Sequence, residues 1–260
     1  MKHLLKTVIL AGGKGTRFSE ETHQRPKPLI EIGGMPIIWH IMKIYSSHGI
    51  NDFVICCGYK SNMIKKFFED YSLNQSDITI DMKQNKIQIQ KKRAESWNVT
   101  LAETGLETMT GGRLKRIKKY VEDDTFCVTY GDDLKGVNIT DLIKFHKKQK
   151  TLGTMTITRN PDRFGVVNIN GNKVIGLKEK PLRDEIWING GYFVLEPKVL
   201  DYIKNDSTIF EHEPLNELIK CKQISAFKYT GQYQPMDTLR DKNKLEDLWN
   251  SGKAYWKNWK

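Results

Sequence analysis

The hydrophobic positions fall into short runs that alternate in period. The segment KTVILAGG is a buried-type strand, PIIWHIMKIYSSHG carries apolar residues at helical spacing with Gly49 as its stop, and NDFVICCGY is a second strand. A helix follows in SNMIKKFFEDY, with Ser61 as the expected N-cap. Further along come TFCVTYGDD as a strand, ITDLIKFHKKQK as a helix and TLGTMTITR as a strand. Strand, helix, strand, helix predicts an α/β fold: a Rossmann-like, mostly parallel mixed sheet with helices on both faces. Two regions break the alternation. From Asp77 to Thr104, ITIDMKQNKIQIQKKR and WNVTLAET read as strands with hairpin-type connections, and in FGVVNINGNKVIGLKEKP the residues Asn170, Gly171 and Asn172 supply turn chemistry between two alternating runs. These β-rich insertions are expected to wall a substrate pocket. The end of the chain reads as a helix stopped near Gly252 and a tail with Tyr255, Trp256 and Trp259, expected to dock on the domain or on a neighbouring subunit. A single domain over 1–260 is expected, with its core at about 5–240 and the C-terminal helix and tail at about 238–260.

Composition narrows the class only slightly. The 260 residues can bury a sizeable core. Cys56, Cys57, Cys127 and Cys221 lack paired metal-site spacing and read as reduced core cysteines, with Cys56 and Cys57 on opposite faces of one strand. No long apolar segment could span a bilayer, and the first residues run straight into a strand without a small-residue cleavage site. A cytoplasmic protein with no membrane association is expected. The formal net charge of +11 is spread along the chain as lysine pairs, which reads as a solvated surface, and the aromatics do not interleave with the basic clusters as a nucleic-acid platform would require. Nucleic acid is therefore not an expected partner.

The chemistry gathers in LAGGKGTRFSEETHQRPKPLIEIGG. A strand ending in AGGKGTR presents backbone amides at the carboxyl edge of a parallel sheet, where open α/β folds bind ligands. Gly12, Gly13 and Gly15 can take positive φ, so successive N–H groups could converge on a polyphosphate. A tight strand-to-helix turn with no ligand is the competing reading. The loop is not a Walker A motif, for no glycine precedes Lys and then Ser or Thr, and Phe18 stands where a dinucleotide fingerprint needs its third glycine. Arg17 offers a planar fork for phosphate, and Lys27, between Pro26 and Pro28, a point charge on a stiffened loop. Asp132 lies at the end of the strand TFCVTYGD, and Asp237 lies in QPMDTLRD just before a helix, where an N-cap role is an equal reading. Two carboxylates could hold the Mg²⁺ that offsets phosphate repulsion in nucleotidyl transfer. Asp133 reads as a turn residue.

In this order, LAGGKGTR, PKP, YGD, EKP, NGG and QPMDTLRD resemble the sugar-1-phosphate nucleotidyltransferases, and WNVTL, TGGRLKR and QPMDTLRDK extend the likeness along essentially the whole chain. The resemblance implies CTP and glucose 1-phosphate as substrates, Mg²⁺ as cofactor, and a homo-oligomer, trimer or hexamer. It implies that Leu10, Ala11, Gly12, Gly13, Lys14, Gly15, Thr16, Arg17, Lys27, Thr108, Arg113 and Gly131 hold the nucleotide. Arg17, Lys27, Asp132 and Asp237 would carry catalysis, the two acids as metal ligands. Gly165, Glu179, Lys180, Asn189 and Gly190 would bind the sugar phosphate. Asp133 stands where the family pattern has glycine. The same chemistry with UTP or dTTP, CTP with another phosphorylated substrate, and a non-catalytic nucleotide-sugar sensor are the alternatives.

Overall fold

A computed structural model describes residues 5–122, 124–159, 166–170, 173–178 and 187–259, the strands 166–170 and 173–178 through their backbone alone. Seven strands form the main sheet: β1 (Lys6–Leu10), β2 (Asp52–Cys57), β3 (Asn98–Glu103), β4 (Phe126–Tyr130), β5 (Gly153–Arg159), β6 (Trp187–Leu195) and β7 (Ile224–Tyr229). Their order across the sheet is β7-β5-β6-β4-β1-β2-β3. The pairs β1 with β2, β1 with β4, β2 with β3, and β5 with β7 are parallel, whereas β6 runs antiparallel to both its neighbours. The expected mixed, mostly parallel sheet is what forms.

Alternation along the strands divides the core between the two faces. Ile9, Ile55, Cys57 and Cys127 point into one cluster, Val8, Val54, Cys56 and Val128 into the other. Cys56 and Cys57 thus occupy opposite faces, as their adjacency requires. Burial pushes the Cys57 and Cys127 thiols up to about 12, and Cys56 moves the same way, so all three stay protonated. Cys221 departs from expectation and is exposed.

The first face is covered by helix α1 (Ile37–Ser46), in which Ile37, Ile38, Ile41, Met42, Ile44 and Tyr45 are all buried. Gly49, at φ 83°, lets the chain turn back after it. Helices α2 (Ser61–Asn74), α4 (Ile139–Gln149) and α6 (Leu239–Asn250) pack on the same cluster, and α3 (Thr110–Arg116) and α5 (Glu213–Lys220) cover the other face through Leu114, Leu215 and Leu218. The cap of α2 differs from expectation: Lys60, in the left-handed region, occupies the N-cap position, and the Ser61 hydroxyl bonds Glu103 instead.

The segment Asp77–Thr104 also divides differently from its sequence pattern. Asp77–Asp81 and Lys86–Lys91 do form an exposed hairpin, but WNVTLAET supplies β3, the parallel edge of the main sheet. Periodicity alone gives no partner for a short strand, and the sheet edge took this one. Residues 166–170 and 173–178 pair antiparallel as expected, while the turn at Gly171 and Asn172 falls outside the described residues.

The aromatic tail docks on its own chain. Trp256 is fully buried, and Trp249, Trp256 and Trp259 surround the ring of His40 on α1. His40 Nε2 lies 2.7 Å from the carbonyl of Ile32, and the Trp256 indole N–H donates to Nδ1 at 3.4 Å. Only the neutral Nε2–H tautomer satisfies both contacts. Burial, against the pull of the Ile32 and Met35 carbonyls, lowers the His40 pKa from 6.5 to about 4.

Because the unfolded chain takes up the proton first as pH falls, the stability linked to neutral His40 is complete above 6.5 and is lost progressively towards about 4. The full span corresponds to on the order of 3 kcal/mol. Chemical denaturation at a series of pH values should show this loss, and His40→Leu should flatten the slope between pH 6.5 and 4; an unchanged slope would assign it to other groups.

Candidate active site

The loops after β1, β3 and β4 converge on a cleft of about 360 Å³, within the range of small-molecule sites. Leu10, Ala11, Gly12, Gly13, Gly15, Thr16, Arg17, Lys27, Thr108, Arg113, Gly131 and Asp132 line it. Lys14 does not: its ammonium pairs with Glu107 at 2.6 Å on the surface.

The floor of the cleft is held by Arg113, on α3. Its guanidinium is buried and donates to the carbonyls of Cys57 (3.2 Å), Gly105 (2.8 Å), Leu106 (3.3 Å) and Gly12 (3.0 Å), and to the Thr104 hydroxyl (2.7 Å). One side chain therefore ties together the ends of β1, β2 and β3. Burial pulls its pKa below the ordinary arginine value without removing the charge, and among the described residues no carboxylate pairs with it. The cation is balanced by carbonyl dipoles, and Arg113 lines the cleft.

The glycine loop meets this guanidinium at close range. A Cβ on Gly12 would fall 2.0 Å from Arg113 Nη1, so Gly12 serves close approach; of Gly12, Gly13 and Gly15, only Gly15 takes positive φ, at 63°. The three-glycine nest expected from sequence is thus a single left-handed turn beside a packed arginine.

The two distant acids are brought together by a short ladder. Asp133–Lys135 pairs antiparallel with Tyr233–Pro235, with Pro235 opposite Asp133, which sets Asp132 and Asp237 at the same end. Lys27 bridges them, its Nζ 2.7 Å from Asp132 Oδ2 and 2.9 Å from Asp237 Oδ1. Arg17 Nη1 reaches the other oxygen of Asp237 at 3.1 Å. Burial opposes the charge on Lys27, but the two carboxylates outweigh it and hold its pKa above the ordinary lysine value. Asp237 is not a helix cap: Thr238 caps α6 in a box with Asp241.

Asp133 is a buried ladder residue rather than a turn residue. Its carboxylate accepts from Lys135, itself fully buried with its ammonium 3.8 Å from the centre of the Tyr233 ring. Burial outweighs the attraction within this pair, raising the Asp133 pKa and lowering that of Lys135.

The antiparallel course of β6 places its first residues at the same sheet edge. Asn189 Nδ2 lies 3.5 Å from the Tyr130 hydroxyl, and Gly190 is buried against the Thr156 carbonyl, which a Cβ would approach to 2.8 Å. Tyr130 and Glu211 were not legible as site residues. The Tyr130 hydroxyl donates to Glu211, whose other oxygen accepts from Thr110 at 2.6 Å, so this carboxylate links the cleft wall to α3. Gly165, Glu179 and Lys180 lie outside the described residues.

Among the described residues no group of three or more His, Cys, Asp or Glu could form a protein-only metal cage. Asp132 and Asp237 instead present two hard oxygen ligands to one point beside the cleft, which fits an ion such as Mg²⁺ that takes one or two carboxylates and completes its shell with substrate phosphates.

A family model described as nucleotidyl transferase matches residues 6–257, and the chain belongs to that family. Glucose-1-phosphate cytidylyltransferase from Salmonella typhimurium is 54% identical to it over 256 residues, covering 98% of this chain and all of the relative. Among solved structures, UDP-glucose pyrophosphorylase complexed with UDP-glucose superposes with a TM-score of 0.67 at 15% identity, over 96% of this chain and 99% of the other. The inositol-1-phosphate CTP transferase from T. maritima gives 0.66 at 15%, over 99% of each chain. These two structures share the fold. Among the described residues no helix is long and apolar enough to cross a membrane.

Gly12→Ala should lower stability by about 1–3 kcal/mol, because the buried guanidinium must move or lose its carbonyl partners. Gly13→Ala, where a Cβ meets nothing within 4 Å, should melt with the parent. Equal melting of the two variants in a denaturant titration would show that the Arg113 contact does not constrain the loop.

Proposed function

We propose that this chain transfers the cytidylyl group of CTP to α-D-glucose 1-phosphate, giving CDP-glucose and pyrophosphate. The observation that carries the reading is the cluster of Arg17, Lys27, Asp132 and Asp237 beside the glycine-loop cleft, four side chains drawn from the first part, the middle and the last part of the chain. The choice of CTP and glucose 1-phosphate follows the full-length similarity to the Salmonella enzyme.

In this reading the loop from Leu10 to Thr16, with Thr108, Arg113 and Gly131, holds the nucleotide, and Arg17 and Lys27 turn to its phosphates. Asp132 and Asp237 hold Mg²⁺, which when bound supplies neutralisation of phosphate charge. Asn189 and Gly190 stand on the side where the sugar phosphate enters, and Gly165, Glu179 and Lys180 complete its site. An oxygen of glucose 1-phosphate attacks the α-phosphorus in line, the bond to the β-phosphate oxygen breaks, and pyrophosphate leaves. No enzyme nucleophile is needed, since the sugar phosphate already is one. The protein contributes alignment and positive charge fixed in advance of the reaction.

We infer a cytoplasmic homo-oligomer, a trimer or hexamer by resemblance to the family, and the exposed hairpin of Asp77–Asp81 and Lys86–Lys91 supports only the existence of a subunit contact. Its cross-strand pairs Ile78 with Ile89 and Ile80 with Ile87 are exposed, and an isolated two-stranded hairpin is marginal in water.

With Mg²⁺ and glucose 1-phosphate, pyrophosphate release should occur with CTP and fall at least tenfold with UTP or dTTP, about the discrimination expected when one buried polar group is left unpaired. Asp132→Asn should lower kcat by about 100-fold or more. Equal release with UTP would overturn the base assignment, and full activity of Asp132→Asn would remove that carboxylate from the chemistry.

A further inference from the structure

Lys27 stands where the two acids need a cation. Its ammonium contacts one oxygen of each, while its side chain is only 8% exposed and those of Asp132 and Asp237 are 34% and 22% exposed. The acids themselves are held by backbone. The residue before Asp132, Gly131, donates its N–H to the Leu10 carbonyl at 3.0 Å, and the Asp237 N–H donates to Asp241 at 3.2 Å. Lys27 is also anchored at its main chain. It opens a single 3₁₀ turn, Lys27–Leu29, after Pro26, and its carbonyl accepts from Ile30 at 3.1 Å. The main chain of all three is thus anchored, and the lysine side chain lines the cleft as well as bridging the acids.

Two carboxylates converging on one point repel each other unless a cation lies between them. The ammonium meets that need within the chain, and a divalent ion bound by the same two oxygens would have to displace it. A triphosphate in the cleft would offer Lys27, and Arg17 on the second oxygen of Asp237, a competing set of anions.

We propose that Lys27 is an exchangeable counter-ion that occupies the divalent-cation position between Asp132 and Asp237 in the nucleotide-free protein and yields it when a nucleoside triphosphate draws the ammonium to its phosphates. The metal is thereby admitted only together with nucleotide. This inference rests on the cleft being a nucleotide site, and it assigns Lys27 a positioning role in addition to its contact with phosphate.

The test is Mn²⁺ binding to the full chain without nucleotide, read from the free-ion electron paramagnetic resonance signal. The wild type should bind weakly, and Lys27→Met should bind roughly tenfold or more tightly because the two carboxylates lose the ammonium shared between them, Arg17 remaining on the second oxygen of Asp237 alone. Adding Asp132→Asn to Lys27→Met should erase the gain. Lys27→Gln, read the same way, covers the case in which the methionine variant fails to fold by circular dichroism.

Tight Mn²⁺ binding by the wild type alone, no gain in the folded Lys27 variants, or a gain that survives Asp132→Asn would each overturn the proposal. Calorimetry with α,β-methylene-CTP and wild-type protein in EDTA tests the nucleotide site separately. Failure of the analogue to bind would remove the underlying functional reading, and the Mn²⁺ results would still decide whether Lys27 and the cation exclude one another.

Discussion

The Arg113 guanidinium, buried among carbonyl oxygens with no carboxylate partner among the described residues, is the constraint on which the site depends. Backbone carbonyls at the ends of parallel strands cannot all find amide partners once the ladder stops, and a buried orphan carbonyl is costly. The Arg113 side chain satisfies those of Gly105 and Leu106, and adds a second donor to those of Gly12 and Cys57, which already accept from the Tyr59 and Thr104 N–H groups. The shape of the cleft floor and the lack of a side chain at Gly12 follow from that choice.

A second consequence concerns how distant residues meet. The parallel half of the sheet delivers the glycine loop and Asp132, but Asp237 arrives through the three-residue ladder with Asp133–Lys135, and Asn189 through the one strand that runs backwards. The site is therefore assembled by two topological devices added to a simple alternating fold. The buried Asp133 and Lys135 pair sits in the ladder itself, next to Asp132, so its packing bears directly on where that carboxylate is held.

Much of this was legible in the sequence, for identifiable reasons. Strands β1, β2 and β4 are continuous apolar runs, and α1 carries a clear helical period, so local pattern sufficed. The glycine loop, Arg17, Lys27 and both acids stand out in the sequence because phosphate chemistry demands those residue types, and the fold brings them together. The parallel edge position of β3 was not legible, since pairing is a property of two segments. Ser61 matched a capping preference that a left-handed Lys60 pre-empted, and Asp133 looked like turn chemistry because its burial depends on a lysine two residues on and a strand a hundred residues away. Glu211 carries no local signal, for its role lies entirely in joining Tyr130 to Thr110.

The docking of Trp256 against His40 spans a sequence separation of 216 residues, and the contact between Arg17 and Asp237 spans 220. During synthesis, β1, β2, β3 and β4 emerge early and can pair, yet α1 keeps an open apolar face until the last aromatic residues leave the ribosome. A nascent chain thus carries a half-built sheet with a sticky side for most of its translation, the kind of species that chaperones bind. A chain interrupted before Asp237 likewise cannot bring both acids to Lys27.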